Sequence, residues 1–196
     1  MAAAREEILA ALAKRTMAPA EHPGSEGPWQ SFRDRVAIFR ERLEAAAGEC
    51  VPVADEGRLA EAVAAIARER SASRVLSLVA AVRSIGAASR DPHDVDGVGL
   101  AVLEAQLGVA ENGAVWITDG GLAPRSVFSL PEHLVVVLRA GAIVDQMHDA
   151  YARLSFSERG FGCFLSGPSK TADIEQSLVI GAHGARTLTV LLLGDA

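Results

Sequence analysis

Leu134-Val135-Val136-Val137-Leu138 and Thr189-Val190-Leu191-Leu192-Leu193 decide how this chain folds. Neither run alternates apolar with polar residues, so each should be a strand buried on both faces, as in a parallel sheet whose crossovers lay helices over it. Working outward, the β-branched runs Cys50–Val53, Arg74–Val79, Gly99–Leu103, Ala114–Thr118 and Gly162–Ser166 read as further strands, with the terminal one spanning Leu188–Leu193. Between them, Glu56–Glu69, Asp145–Leu154 and a shorter segment beginning near Thr171 read as helices. The alternation predicts one α/β domain over residues 50–196, with helices on both faces of its sheet.

Upstream the texture differs. Ile8, Leu9 and Leu12 fall at helical spacing in an Ala-rich background and predict an amphipathic helix over Ala2–Arg15. Pro19, Pro23, Gly24, Gly27 and Pro28 then break any regular ladder, making 18–28 a flexible linker. Phe32, Val36, Phe39 and Leu43 return every three or four residues and predict a second helix over Trp29–Ala47, ended by Gly48. Residues 1–49 thus read as a helical lead-in.

Composition narrows the function classes. The 196 residues carry a formal charge of −6, which gives no general attraction to nucleic acid. The longest apolar runs fall far short of the ~20 residues that span a bilayer, so no membrane insertion is expected. The first residues show no secretory pattern, which predicts a cytoplasmic protein with reduced thiols. The chain has 2 cysteines, Cys50 and Cys163, too few for an iron–sulfur cluster or a four-cysteine zinc site. His22, His93, His133, His148 and His183 have no metal-ligand spacing, so no metal is expected. Homo-oligomerisation is left open.

The densest polar cluster is Ser166-Gly167-Pro168-Ser169-Lys170-Thr171-Ala172-Asp173-Ile174-Glu175. Read as a strand end opening into a helix, it would present free amides, hydroxyls and the Lys170 ammonium to an anion; its simpler reading is a helix cap. Gly162 and Gly167 have Walker A spacing, but Pro168 stands where the phosphate-binding lysine belongs. Gly97-Val98-Gly99 begins a dinucleotide turn that Val102 breaks. A second cluster, Gly181-Ala182-His183-Gly184, combines backbone freedom with an imidazole; a lone loop histidine is more often structural than catalytic. The third, Ala110-Glu111-Asn112-Gly113, is either a tight turn or a means of aiming Glu111 into a site as base or nucleophile. Arg125, in the loop 119–126, could grip a carboxylate from two sides. Asp91, His93, Asp94 and Asp96 read as a solvated turn. If these loops converge, the site contains Glu111, Gly113, Ser166, Gly167, Ser169, Lys170, Thr171, Asp173, His183 and Gly184, beyond the carboxyl ends of the strands.

The order of these motifs resembles the LUD domain family, whose members include lactate utilization protein C. Ser166–Glu175 followed by Gly181–Gly184 and a terminal apolar strand is similar to the family's C-terminal signature. Ala110-Glu-Asn-Gly113 resembles its Ala-Glu-Thr-Gly turn, and Leu130-Pro-Glu-His133 its Leu-Pro-x-His approach to a strand. Asn112 replaces the family's Thr, and Ala185 stands where Pro is common. The likeness runs from about Val75 to the C-terminus. It implies an α/β Rossmann-like three-layer sandwich of the NagB/RpiA/CoA-transferase-like type, preceded here by N-terminal helices. It further implies a bacterial accessory protein of L-lactate oxidation to pyruvate. That protein would bind a small anion and act with iron–sulfur oxidoreductase subunits, with no cofactor of its own. A second resemblance competes: Glu111-Asn112-Gly113 is similar to the Ser-Glu-Asn-Gly motif of class I CoA-transferases, whose Glu is the acyl nucleophile, although Ala110 replaces the Ser. A purely structural scaffold is the third alternative.

Overall fold

A computed structural model describes residues 2–14, 27–86, 91–119, 124–155, 160–172 and 178–194. Its centre is a five-stranded, wholly parallel sheet built from β1 (Glu49–Val53), β2 (Val75–Ser77), β3 (Leu100–Glu104), β6 (His133–Arg139) and β11 (Thr187–Leu193). The spatial order is β1-β11-β6-β3-β2, which puts the two continuous apolar strands side by side in the interior, with Leu134 opposite Leu188 and Val136 opposite Val190. The chain leaves β1, crosses one face as α3 (Leu59–Glu69) to reach the far edge at β2, and steps back strand by strand to β11.

Each face of the sheet has its own core. Val102, Val135, Val137 and Leu191 point to the α3 side and pack on Leu59, Val63 and Ala67. The alternate residues, among them Ala101, Leu103, Leu134, Val136, Leu188 and Val190, point the other way and join a larger cluster. That second face is where the sequence expectation needs amendment. It is covered by the helix α2 (Arg35–Ala45) together with a second sheet of β4 (Leu107–Val109), β5 (Ala114–Thr118), β7 (Ile143–Val144) and β8 (Gly162–Leu165), in the order β7-β4-β5-β8. The molecule is therefore a three-layer α/β sandwich in which the third layer is half helix, half sheet. The helix α4 (Met147–Arg153) closes the outside of the mixed sheet, its Ala150 clustering with Leu107, Val109, Trp116 and Val144. Burying each large aliphatic side chain in these clusters contributes roughly 1.5–3 kcal/mol against the cost of ordering the chain.

The helix α1 (Ala2–Ala13) is present, with Ile8, Leu9 and Leu12 exposed. The linker expected over 18–28 lies outside the described residues up to 26. The second helix starts at Arg35 rather than Trp29, because the Asp34 carboxylate accepts from the Ala37 amide at 2.9 Å and fixes the amino end there. Phe39 and Leu43 of this helix are fully buried among strand residues, so α2 is part of the domain core. Two glycines let it approach. Gly113, at φ +65°, has its missing Cβ position 2.4 Å from the Leu43 nitrogen, and Gly167, at φ +72°, has its own 2.0 Å from the Ala46 carbonyl oxygen. Only glycine satisfies both demands at these positions.

The third helix expectation fails. The segment at Thr171 is β9 (Lys170–Ala172), paired antiparallel with β10 (Leu178–Ile180) so that Thr171 faces Val179. Hydroxyl-rich caps and β-branched strands share residue types, and the Leu-Val-Ile run downstream supplies a partner that local capping logic does not weigh. Asp173 and Glu175 lie outside the described residues.

Candidate functional site

The loop after β8 and the loop before β11 meet. The Ser169 amide donates to the Ala185 carbonyl at 2.9 Å, and the Gly181 amide donates to the Ser169 carbonyl at 2.8 Å, tying the two loops into one unit. Beneath them is a cavity of about 270 Å³ whose walls include Ser166, Gly167, Ser169, His183 and Gly184. The closeness of its walls is visible at Gly184: a Cβ there would stand 2.9 Å from the Ser169 Cβ. Phe128, Ser129, Leu134 and Phe164 also line it, with Leu165, Pro168 and Ala185. Of the first four, Leu134 belongs to the strand run legible in the sequence, whereas Phe128 and Ser129 precede it and Phe164 lies in β8, and no motif marks those three.

Other expected site residues stand elsewhere. The Glu111 carboxylate accepts from the Met147 amide at 3.0 Å and so caps the amino end of α4; it does not line the cavity. Its segment is the turn between the antiparallel strands β4 and β5, with the Asn112 side chain accepting from the Ala114 amide at 3.0 Å and the Gly113 amide donating to Val109. The Ala110–Gly113 turn meets the cavity loop through its backbone, where the Ser166 hydroxyl donates to the Asn112 carbonyl at 2.8 Å. Gly113 is spent on the close approach of α2. Arg125 lies over the Phe161 ring at 5.3 Å and its Nε is 3.5 Å from Asp119, one aromatic layer away from the cavity wall at Phe128. Lys170 is exposed, its ammonium 3.5 Å from the Ser166 carbonyl, and Thr171 sits in β9.

The position of the cavity also departs from expectation. Leu134 is near the start of β6, and His183 to Ala185 lead into β11, so the cavity lies at the amino ends of the parallel strands rather than the carboxyl ends. With Thr171 in a strand, the helix expected to begin there does not aim its dipole at the cavity; hydroxyls and an imidazole are among its lining groups. At the carboxyl ends, Glu56 and Arg139 form an ion pair across the exits of β1 and β6.

Among the described residues no group of three or more His, Cys, Asp or Glu is placed to hold a metal ion, and no helix is long and apolar enough to cross a membrane. Both cysteines are free, and burial raises the proton affinity of each thiol above its ordinary value.

A parallel central sheet flanked by α3 on one face and by α2 with a mixed sheet on the other, with paired loops at the strand entries, defines an α/β sandwich of the Rossmann-like class. The LUD domain matches residues 94–193 of the 196, the segment that contains both cavity loops, and the chain belongs to that family. Lactate utilization protein C of Geobacillus thermodenitrificans is 28% identical over 164 residues, covering 80% of this chain and 68% of that protein. Lactate utilization protein C of Halalkalibacterium halodurans is 33% identical over 93 residues, covering 44% of this chain and 40% of that protein. The matched stretch is thus a part of each relative and not its whole length. A crystal structure of a DUF162 family protein from Deinococcus radiodurans superposes with a TM-score of 0.56 at 16% identity, covering 82% of this chain and 96% of that one, and shares the fold.

Proposed function

We propose that this chain is an accessory protein of L-lactate utilization, acting with iron–sulfur partner subunits in the oxidation of lactate to pyruvate and holding a small anionic ligand between the Ser166 and His183 loops. The observation that carries the reading is the LUD segment over residues 94–193, shared with relatives that bear the name lactate utilization protein C. The chemistry of the chain fits such a division of labour. With 2 cysteines in the sequence, one in β1 and one in β8, it has fewer than the four thiolates of a typical iron–sulfur cluster, and the reading assigns such clusters to the partners. The cavity supplies hydroxyls and an imidazole that can meet a carboxylate. Acyl transfer through Glu111 has less support, since that carboxylate is engaged at the amino end of α4 and lies outside the cavity lining.

Reconstitution tests the reading. Iron–sulfur subunits of a lactate utilization system should reduce an electron-accepting dye faster with L-lactate when this protein is added, and should co-elute with it. Equal rates with and without the protein, together with separate elution, would end the proposal.

A further inference from the structure

We infer that the cavity is selective for a short hydroxy-monocarboxylate over its keto analogue, and that Ser166 is the residue that reads the hydroxyl. The inference rests on taking the cavity as a ligand site.

Size comes first. At about 30 Å³ per water, about 270 Å³ accommodates roughly nine waters, room for a ligand of about ten heavy atoms within the walls. Charge comes next. Among the described residues the lining contains no Arg, Lys, Asp or Glu, and His183 is its one titratable side chain. One ammonium, that of Lys170, stands 3.5 Å from the Ser166 carbonyl just outside the lining; a single cation with neutral donors suits one carboxylate better than a multiply charged phosphate. Phe128, Leu134 and Phe164 form the apolar part of the wall, suited to a short hydrocarbon substituent.

Hydrogen-bond polarity then separates two kinds of carboxylate. Ser129, Ser169 and His183 line the cavity, and their side chains have no protein partner among the described residues, so their donors are available to a carboxylate. Ser166 is different. Its single hydroxyl proton is committed to the Asn112 carbonyl at 2.8 Å, which leaves only oxygen lone pairs facing any ligand. A group that only accepts is satisfied by a ligand that donates. A 2-hydroxy acid brings such a proton; a 2-oxo acid presents a second acceptor and leaves two lone-pair bearers opposed.

Calorimetric titration of the full chain with L-lactate, pyruvate, inorganic phosphate and coenzyme A tests this. L-Lactate should bind about fivefold or more tightly than pyruvate, the worth of one hydrogen bond near 1 kcal/mol. Ser166→Ala should erase that preference, while Ser169→Ala and His183→Gln weaken both acids and keep their ratio. Thermal melts confirm that each variant is folded, and His183, being exposed, is replaceable without loss of core packing. Equal or tighter binding of pyruvate by the wild type, or phosphate or coenzyme A displacing lactate, overturns the ligand class while leaving a site in place. No binding of any probe, or binding indifferent to all three substitutions, overturns both the selectivity and the cavity as a site. Neither result depends on the partner subunits, so the outcome is separable from the reconstitution above.

Discussion

Arg35 grips Asp145 with two nitrogens, Nε at 2.9 Å and Nη2 at 2.8 Å from different oxygens of the same carboxylate. The Phe32 amide donates to that carboxylate at 3.0 Å, the Gln146 side chain donates to the Gln30 carbonyl, and Trp29 stacks on His148 with ring centroids 3.9 Å apart. Residues 29–35 are thereby strapped to the amino end of α4, and α2 begins where the strap ends.

The strap makes stability pH-dependent in a defined direction. The hydrogen bonds from Arg35, followed by the amide of Phe32, hold the Asp145 carboxyl below its ordinary range. A carboxylate whose folded value lies below its unfolded value of about 3.9 contributes fully above that pH and loses its contribution as pH falls through the folded value. Asp145→Asn should cost about 1–2 kcal/mol at pH 7, the low side of a charged pair because the Arg35 side chain is 49% exposed and screened. That amounts to a fall of roughly 2–8 °C in melting temperature, and the gap to wild type should close as the pH is lowered beneath the ordinary carboxylate range. A gap that stays constant in acid would show that the ion pair is not its cause.

His133 adds a second acid-sensitive element in a higher window. Burial lowers its proton affinity, and its Nδ1 lies 2.9 Å from the Thr187 hydroxyl across the β6–β11 register. Here the neutral form is favoured by folding, so stability is full above the unfolded value of about 6.5 and declines as pH drops beneath it. His133→Gln should flatten the melting temperature between pH 7 and pH 5 relative to wild type. Parallel slopes for the two proteins in that interval would contradict the assignment.

The seat of α2 predicts two intolerant glycines. Gly113→Ala and Gly167→Ala each place a methyl group against α2 backbone from a left-handed conformation, and each should cost about 2–4 kcal/mol. Denaturant midpoints measure this directly. A loss under about 0.5 kcal/mol at either position would mean that the helix does not sit as described.

Glu111 offers a separation of stability from chemistry. As a cap on α4, its replacement by Gln should cost about 0.5–1 kcal/mol and leave the titrations of the cavity unchanged. A Glu111→Gln variant that melts as wild type does but loses ligand binding or a trappable acyl adduct would revive the nucleophile role.

Much of the architecture is legible in the sequence because it follows from burial period. Continuous apolar runs announce strands covered on both faces, and Leu134–Leu138 and Leu188–Leu193 pair side by side as that rule requires. The mixed sheet is less legible. Leu107–Val109 and Ile143–Val144 are too short to show a period, and they become strands through partners supplied by the rest of the fold. For the cavity, Ser166, Gly167, Ser169, His183 and Gly184 stand out as polar and glycine-rich loops, and these line a common space. Glu111 and Gly113 attract attention through the Ala110–Gly113 turn motif and Arg125 by its residue type, and what places them elsewhere is tertiary: the start of α4, the backbone of α2 and the ring of Phe161.

The cavity opens where β6 and β11 begin, while the Ala140–Ala142 connection leaves β6 at the opposite rim, a strand of seven residues and roughly 20 Å away. A Cβ at Gly141 would meet nothing within 4 Å. A side chain at Gly141 therefore meets no neighbour, although Ala140 and Ala142 beside it pack on the core, whereas one residue added between Gly181 and Arg186 would slide the Ala185 carbonyl off the Ser169 amide and open the roof over whatever lies beneath. Side-chain growth is thus tolerated at the tip of one pole, while at the other the loop length itself holds the cavity closed.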